Sequence, residues 1–182
     1  MLSVWKSQKM KPRVPHQTRK VTEHFGKYYN LAVGHLARRP RSSKELKDYL
    51  TKKKIDPFLI DEIISKLIEQ KFLNDLTFAR WWREQRTRFK GKSDRLITME
   101  LRQKGIKDDI IQEIFHEVTD EPMDDLTKAK GLVLKRLKRV EGLPPKEQYE
   151  KLGRYLIGKG FGWDIIRKAI DEHIEKKYND GE

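Results

Sequence analysis

The feature that most restricts the fold of this chain is an internal register: shifted by 51 residues and then by 55, its apolar positions superpose three times. Leu46, Ile97 and Leu152 align, as do Leu50, Leu101 and Leu156, and then Ile55, Ile106 and Phe161. The match continues through Leu59, Ile110 and Ile165, through Ile60, Ile111 and Ile166, through Ile63, Ile114 and Ala169, and through Ile64, Phe115 and Ile170. Apolar positions held at constant offsets imply one supersecondary unit written three times, each copy burying its stripe against itself and its neighbours. A lysine joins the register, since Lys53, Lys104 and Lys159 stand immediately before Lys54, Gly105 and Gly160. Glycine at that place suits a left-handed residue that ends a helix; the first copy departs by carrying Lys54.

A period near 50 residues accommodates three helices of about 11 to 12 residues with short connections. In the middle copy, Asn74 or Asp75 caps a helix over about 76–89, with Phe78, Trp82, Gln85 and Phe89 along one face. Lys90, Gly91 and Lys92 break it, Ser93 caps a second helix through Lys104, and Asp108 caps a third through about Val118. In the first copy Ser42 and Glu45 form a capping box, and Asp56 stands ahead of Pro57 at the first helical position. Pro122, Pro144 and Pro145 fall in connections, and strand alternation of useful length appears nowhere. The expectation is an all-α fold of three tandem three-helix repeats, at residues 28–73, 74–122 and 123–178, in an elongated and curved stack. Residues 1–27, with Pro12, Pro15 and scattered bases but no apolar period, are expected to form a mobile basic arm.

Composition then limits the chemistry. With 36% hydrophobic and 38% charged residues, thin helical layers suit the chain better than one thick core. Cysteine is absent, which excludes disulfides, zinc ribbons and thiol nucleophiles. No stretch approaches the roughly 18 apolar residues of a membrane span, and Met1 to Met10 lack the apolar run of a signal peptide, so a cytoplasmic protein is expected. The formal charge of +13 favours an anionic partner, most commonly nucleic acid. It is laid out in blocks: +6 over residues 1–27, +6 over 78–104, −7 over 107–125 and +6 over 126–154.

A catalytic constellation does not emerge. His16, His24, His35, His116 and His173 are scattered, and Gly158, Gly160 and Gly162 follow a helix rather than a strand, as a helix end does. Asp109, Glu113 and Glu117 recur every four residues and could share one face as a metal site. A two-metal nuclease needs acids from other segments, and Asp124 and Asp125 supplement them weakly, so a solvated face is the preferred reading. No enzyme activity, cofactor or metal is therefore expected. The informative cluster is basic: Arg80, Arg83, Arg86, Arg88, Lys90, Lys92 and Arg95 surround Trp81 and Trp82, with Arg102 and Lys104 just beyond. Guanidinium forks suit phosphate or carboxylate. Trp82 shares the stripe of Phe78 and Phe89 and belongs to the core, whereas Trp81 lies between core edge and partner surface. The third copy repeats the patch with Lys128, Lys130, Lys135, Arg136, Lys138 and Arg139.

Phe72-Leu73-Asn74-Asp75, Phe78-Ala79-Arg80, Lys90-Gly91 ahead of Leu96, and the closing Leu101-Arg102-Gln103-Lys104-Gly105-Ile106 together resemble the signature of the RecX family, regulators of the bacterial recombinase RecA. The three-helix repeats extend the resemblance over about residues 28–175. It implies a non-enzymatic modulator of the RecA nucleoprotein filament that lies in the filament groove and restrains filament extension, ATP hydrolysis and strand exchange. The expected contact residues are Arg80, Arg83, Arg86, Arg88, Lys90, Lys92, Arg95, Arg102, Lys104, Lys135, Arg136 and Arg139, on a monomer that also touches DNA. A stand-alone, non-specific nucleic-acid binder is the alternative reading. The arm at residues 1–27 and Lys54 are departures from the pattern.

Overall fold

Small polar side chains start most of the helices. A computed structural model describes the backbone of residues 16–117 and 124–179, and among these there is no strand. The first unit comprises α1 (His16–Leu36), α2 (Ser43–Lys52) and α3 (Pro57–Glu69). The second comprises α4 (Asp75–Glu84), prolonged by a π turn at Gln85–Phe89, then α5 (Asp94–Gln103) and α6 (Asp108–His116). The third comprises α7 (Asp125–Leu137), α8 (Pro145–Gly158) and α9 (Trp163–Asn179).

The capping box forms at α2, Ser42 Oγ accepting from the Glu45 amide at 3.1 Å while Glu45 Oε2 accepts from the Ser42 amide. Asp56 caps α3 with Pro57 at its first position, Asn74 caps α4, Ser93 caps α5 and Asp124 caps α7. Four local expectations need correction. Pro145, placed in a connection, is the first residue of α8. The N-cap of α6 is Lys107, without a side-chain cap; Asp108 is the first helical residue, where its charge suits the positive helix end. Residues 16–27, read as part of the arm, lie in α1, whereas residues 1–15, with Val118 and Pro122, fall outside the described residues. Phe89, expected on the stripe of Phe78 and Trp82, is 68% exposed. The π turn advances more residues per revolution than an α-helix and rotates Phe89 out of phase.

The threefold register is the core. Leu46, Ile97 and Leu152 are fully buried, as are Leu50, Leu101 and Leu156, and Ile63, Ile114 and Ala169. Ile55, Ile106 and Phe161 are buried at the three helix ends. Each unit packs its own cluster, around Leu46 and Ile63 in the first, Phe78 and Leu101 in the second, and Leu152 and Ile166 in the third. The main helix packing likewise stays inside a unit: α2 on α3, α4 on α6, and α7 on α8 and α9. An array of small cores, rather than one large one, is how a chain this rich in charge folds.

The units meet at two joints of one design. At the first, Ser42 Oγ donates to Lys104 O at 2.8 Å and the Ser43 amide donates to Asp75 Oδ1 at 2.7 Å. At the second, the Ser93 amide donates to Lys159 O at 3.0 Å and the Asp94 amide donates to Asp125 Oδ1 at 3.0 Å. The N-terminus of each middle helix thus abuts the helix end of the next copy. There the left-handed glycines are required twice over. Gly105 has φ of 77° and Gly160 of 91°, and a Cβ would come within 2.8 Å of Lys44 Cβ or 2.5 Å of Leu96 Cβ. Lys54 adopts the same conformation, φ 58°, and is exposed. The third unit differs at the same place. Gln148, the counterpart of Ser93 at the 55-residue offset, lies inside α8, and its amide donates to Pro144 O at 3.0 Å. The donors that make a joint are satisfied within the last unit.

Candidate functional site

The basic segment of the second unit divides into cations held by the protein and cations left to solvent. Arg86 Nε donates to Glu100 Oε2 at 2.7 Å and stacks 3.9 Å above the Trp82 ring. Lys92 also pairs with Glu100, and Trp82 Nε1 donates to the same carboxylate at 2.9 Å. Burial alone would raise the Glu100 pKa; hydrogen bonds from Lys92, Arg86 and Trp82 outweigh it and hold the carboxyl below its ordinary value. Arg83 caps the end of α6, donating to Ile114 O at 2.6 Å while lying 4.8 Å from the Phe115 ring. Arg95 donates to Gly160 O at 3.2 Å across the second joint.

Lys104 occupies the first joint. Its ammonium lies 2.6 Å from Glu45 Oε1 and 4.0 Å from the Trp82 ring, and both members of the ion pair are 19% exposed. Arg39 reaches the same carboxylate at 3.1 Å. Burial pushes the Glu45 pKa upward, but hydrogen bonds from Arg39 and Lys104 prevail and lower it to about 2. Lys44 Nζ completes the joint on Gln103 O at 2.9 Å. Around these groups opens a polar cleft of about 360 Å³, walled by Lys44, Glu45, Trp82, Arg86, Glu100 and Lys104. Two of its three cations, Arg86 and Lys104, face carboxylates already in place, while Lys44 is held by a backbone carbonyl.

Among the expected contacts, the solvent-facing cations whose side chains make no bond across a joint are Arg80, Arg88, Lys90, Arg102, Lys135 and Arg139; Arg95 is exposed too but bound to Gly160 O, and Arg136 is partly buried against the Tyr155 ring at 4.3 Å. Arg80 is bound to Glu117 at 2.5 Å, Arg88 to Glu84 at 2.9 Å and Arg102 to Asp108 at 2.7 Å, pairs open enough to water to exchange for a partner's acid. In the third unit the sequence patch breaks up. Lys128 is buried, its ammonium 2.5 Å from Asp94 and 3.0 Å from Asp125, and Lys130 pairs with Glu172. Trp82 belongs to the core as expected, and Trp81 is partly buried at its edge.

The acidic stripe of α6 is drawn toward Arg80, which contacts Glu117 and lies 3.4 Å from Glu113; Asp109 accepts from the Ile110 amide. Among the described residues, no three His, Asp or Glu are grouped to hold a metal ion, and no helix is long and apolar enough to cross a membrane. The joint residues Glu45, Asp75, Asp125 and Lys159 were not singled out from sequence as contacts. The aligned lysines, each placed just before the residue that ends the middle helix, were the available signal.

Comparison with known proteins agrees with this architecture unit by unit. Models of the first, second and third three-helix domains of RecX match residues 29–67, 74–114 and 124–170. The regulatory protein RecX of Bacillus subtilis is 37% identical over 146 residues, covering 80% of this chain and 54% of its own. That of Listeria welshimeri is 34% identical over 140 residues, covering 77% and 51%. The chain therefore spans about half the length of these curated relatives. A crystal structure of RecX from Lactobacillus salivarius superposes with a TM-score of 0.69 at 30% identity, over 83% of this chain and 97% of that one. A second RecX crystal structure, 21% identical, shares the fold with a TM-score of 0.73 over 91% and 81%.

Proposed function

Because the chain belongs to the RecX family of regulatory proteins, we propose that it is a non-enzymatic modulator of RecA that docks on the RecA–DNA filament and restrains its ATPase and strand-exchange activities. The observation that carries this reading is the three-unit array joined end to end at two stiff joints. A helical filament presents the same surface at regular intervals, and an array of similar units can meet several of those intervals at once. The second contact is then made at high effective concentration, so modest individual contacts add up to tight binding. Alternating charge along the array, +6 over residues 78–104 and −7 over 107–125, suits a surface that offers both signs.

The contact surface we propose is the set of solvent-facing cations: Arg80, Arg88, Lys90, Arg102, Lys135 and Arg139. Arg83, Arg86, Lys92, Arg95 and Lys104 support it from behind by fixing helix ends and joints. The test is a RecA-catalysed ATPase and strand-exchange assay on single-stranded DNA, with co-sedimentation of the chain and the filament. The chain should sediment with filaments and slow both activities. Arg88→Glu, Arg102→Glu and Lys135→Glu combined should release it at least tenfold more readily while circular dichroism stays unchanged. Unaltered RecA activity at a several-fold excess over filament sites rejects the proposal.

A further inference from the structure

The two joints differ in charge: Glu45 and Glu100, which line the first, have Leu96 and Tyr155 as their counterparts at the second. Lys104 and Lys159 are equivalent lysines at equivalent helix ends, but the counterpart of Glu45 at the 51-residue offset is Leu96. Lys104 is neutralised by Glu45; Lys159 Nζ instead donates to Lys90 O at 2.6 Å and has no ion pair among the described residues. Its neighbours are cations. Lys90 and Lys92 stand on a turn pressed against the third unit, where a Cβ on Gly91 would come 2.9 Å from Leu132. Arg136 lies 4.3 Å from one ring, Tyr155, and the Lys159 ammonium lies 5.4 Å from the same ring. Burial, then the charges of Lys90, Lys92 and Arg136, hold the Lys159 ammonium below its ordinary pKa, as uncompensated like charge does. The carboxylate that Lys92 engages, Glu100, is shared with Arg86.

We propose that the second joint is a phosphate-binding site formed by Lys90, Lys159 and Arg136, with Lys92 beside it, and that its ligand is the sugar-phosphate backbone of single-stranded nucleic acid. An anion there supplies the countercharge that Glu45 supplies at the first joint. Tyr155, packed on the third core and partly exposed beside the two cations, gives a neighbouring base an aromatic edge to meet, which an acidic protein segment would not use. This inference rests on the joint geometry and not on the RecA reading, and its test contains no RecA.

The test measures binding of a fluorescent oligothymidylate by anisotropy across a salt series, comparing the full chain with Arg136→Gln/Lys159→Gln and with Lys90→Gln. Each phosphate contact to a single strand contributes roughly 0.7 to the slope of log affinity against log salt. The double variant should therefore lower that slope by about 1.4 and weaken binding at 0.15 M salt by about tenfold, and Lys90→Gln should weaken it about fourfold. Lys159→Arg should restore most of the affinity. The control Lys52→Gln/Lys168→Gln removes the same charge from exposed helix faces on α2 and α9 and should change affinity less than twofold. Pyrophosphate should compete weakly and oligothymidylate strongly. Equal losses in the control, no measurable binding by the unaltered chain, or equal binding of polyglutamate each overturn the proposal. Because Lys90→Gln alters an exposed side chain, a folding defect in the double variant leaves the question answerable.

Discussion

Lys104 Nζ lies 2.6 Å from Glu45 Oε1, and through that contact a residue of the second unit is tied to the capping box of the first. Glu45 closes the cap of its own helix, accepts from Arg39 and receives the next unit's lysine, so one carboxylate sets both a helix start and the relation between two cores. Removing either partner should loosen the joint. Lys104→Gln is expected to cost about 1 to 2 kcal/mol in urea unfolding, between the values for exposed and buried pairs. Glu69→Gln, whose partner Lys66 is exposed, should leave the urea midpoint unchanged.

Acid should weaken the same joint. The folded-state pKa of Glu45, about 2, lies below its ordinary value of 4.5, so its contribution is complete above that value and is lost as pH falls toward 2. Glu100, shifted in the same direction, adds to the loss. Thermal melts between pH 6 and pH 2 should show the steepest decline below about pH 4.5, and Glu45→Gln should flatten it. A profile unchanged in Glu45→Gln contradicts the assignment.

The left-handed residues predict opposite signs for glycine exchanges. Gly160→Ala places a Cβ 2.5 Å from Leu96 Cβ at φ 91° and should cost several kcal/mol, on the order of a strained backbone plus a displaced core contact. Gly142→Ala, at φ 81° with open space around it, should cost only about 1 kcal/mol. Lys54→Gly relieves φ 58° and should be neutral or stabilising by a few tenths of a kcal/mol. Denaturant midpoints of the three variants decide the matter.

Core and phase can be separated in the second unit. Leu101→Ala removes a fully buried side chain and should destabilise by about 2 to 5 kcal/mol. Phe89→Ala, beyond the π turn and 68% exposed, should change stability by less than about 0.5 kcal/mol. A large loss at Phe89 would mean that the helix continues in α phase.

The repeat architecture was readable from the chain because burial periodicity is local. Ile97 or Leu152 is apolar for the sake of its own unit, and the same spacing recurs wherever the unit does. The caps at Ser42, Asp56 and Ser93 were readable for the same reason, since their partners lie two or three residues away. The tertiary arrangement alone decided which cations are available. Arg86 and Arg88 point to opposite sides of one turn, as residues two apart do, and the packing of α5 decides that the Arg86 side meets Trp82 and Glu100 while the Arg88 side faces water. Lys104 and Lys159 are indistinguishable in the register; their different charge environments arise from Glu45 and Leu96, over fifty residues away and brought near only when neighbouring units dock. Electrostatic partnership depends on distance in space, and no spacing along the chain encodes it.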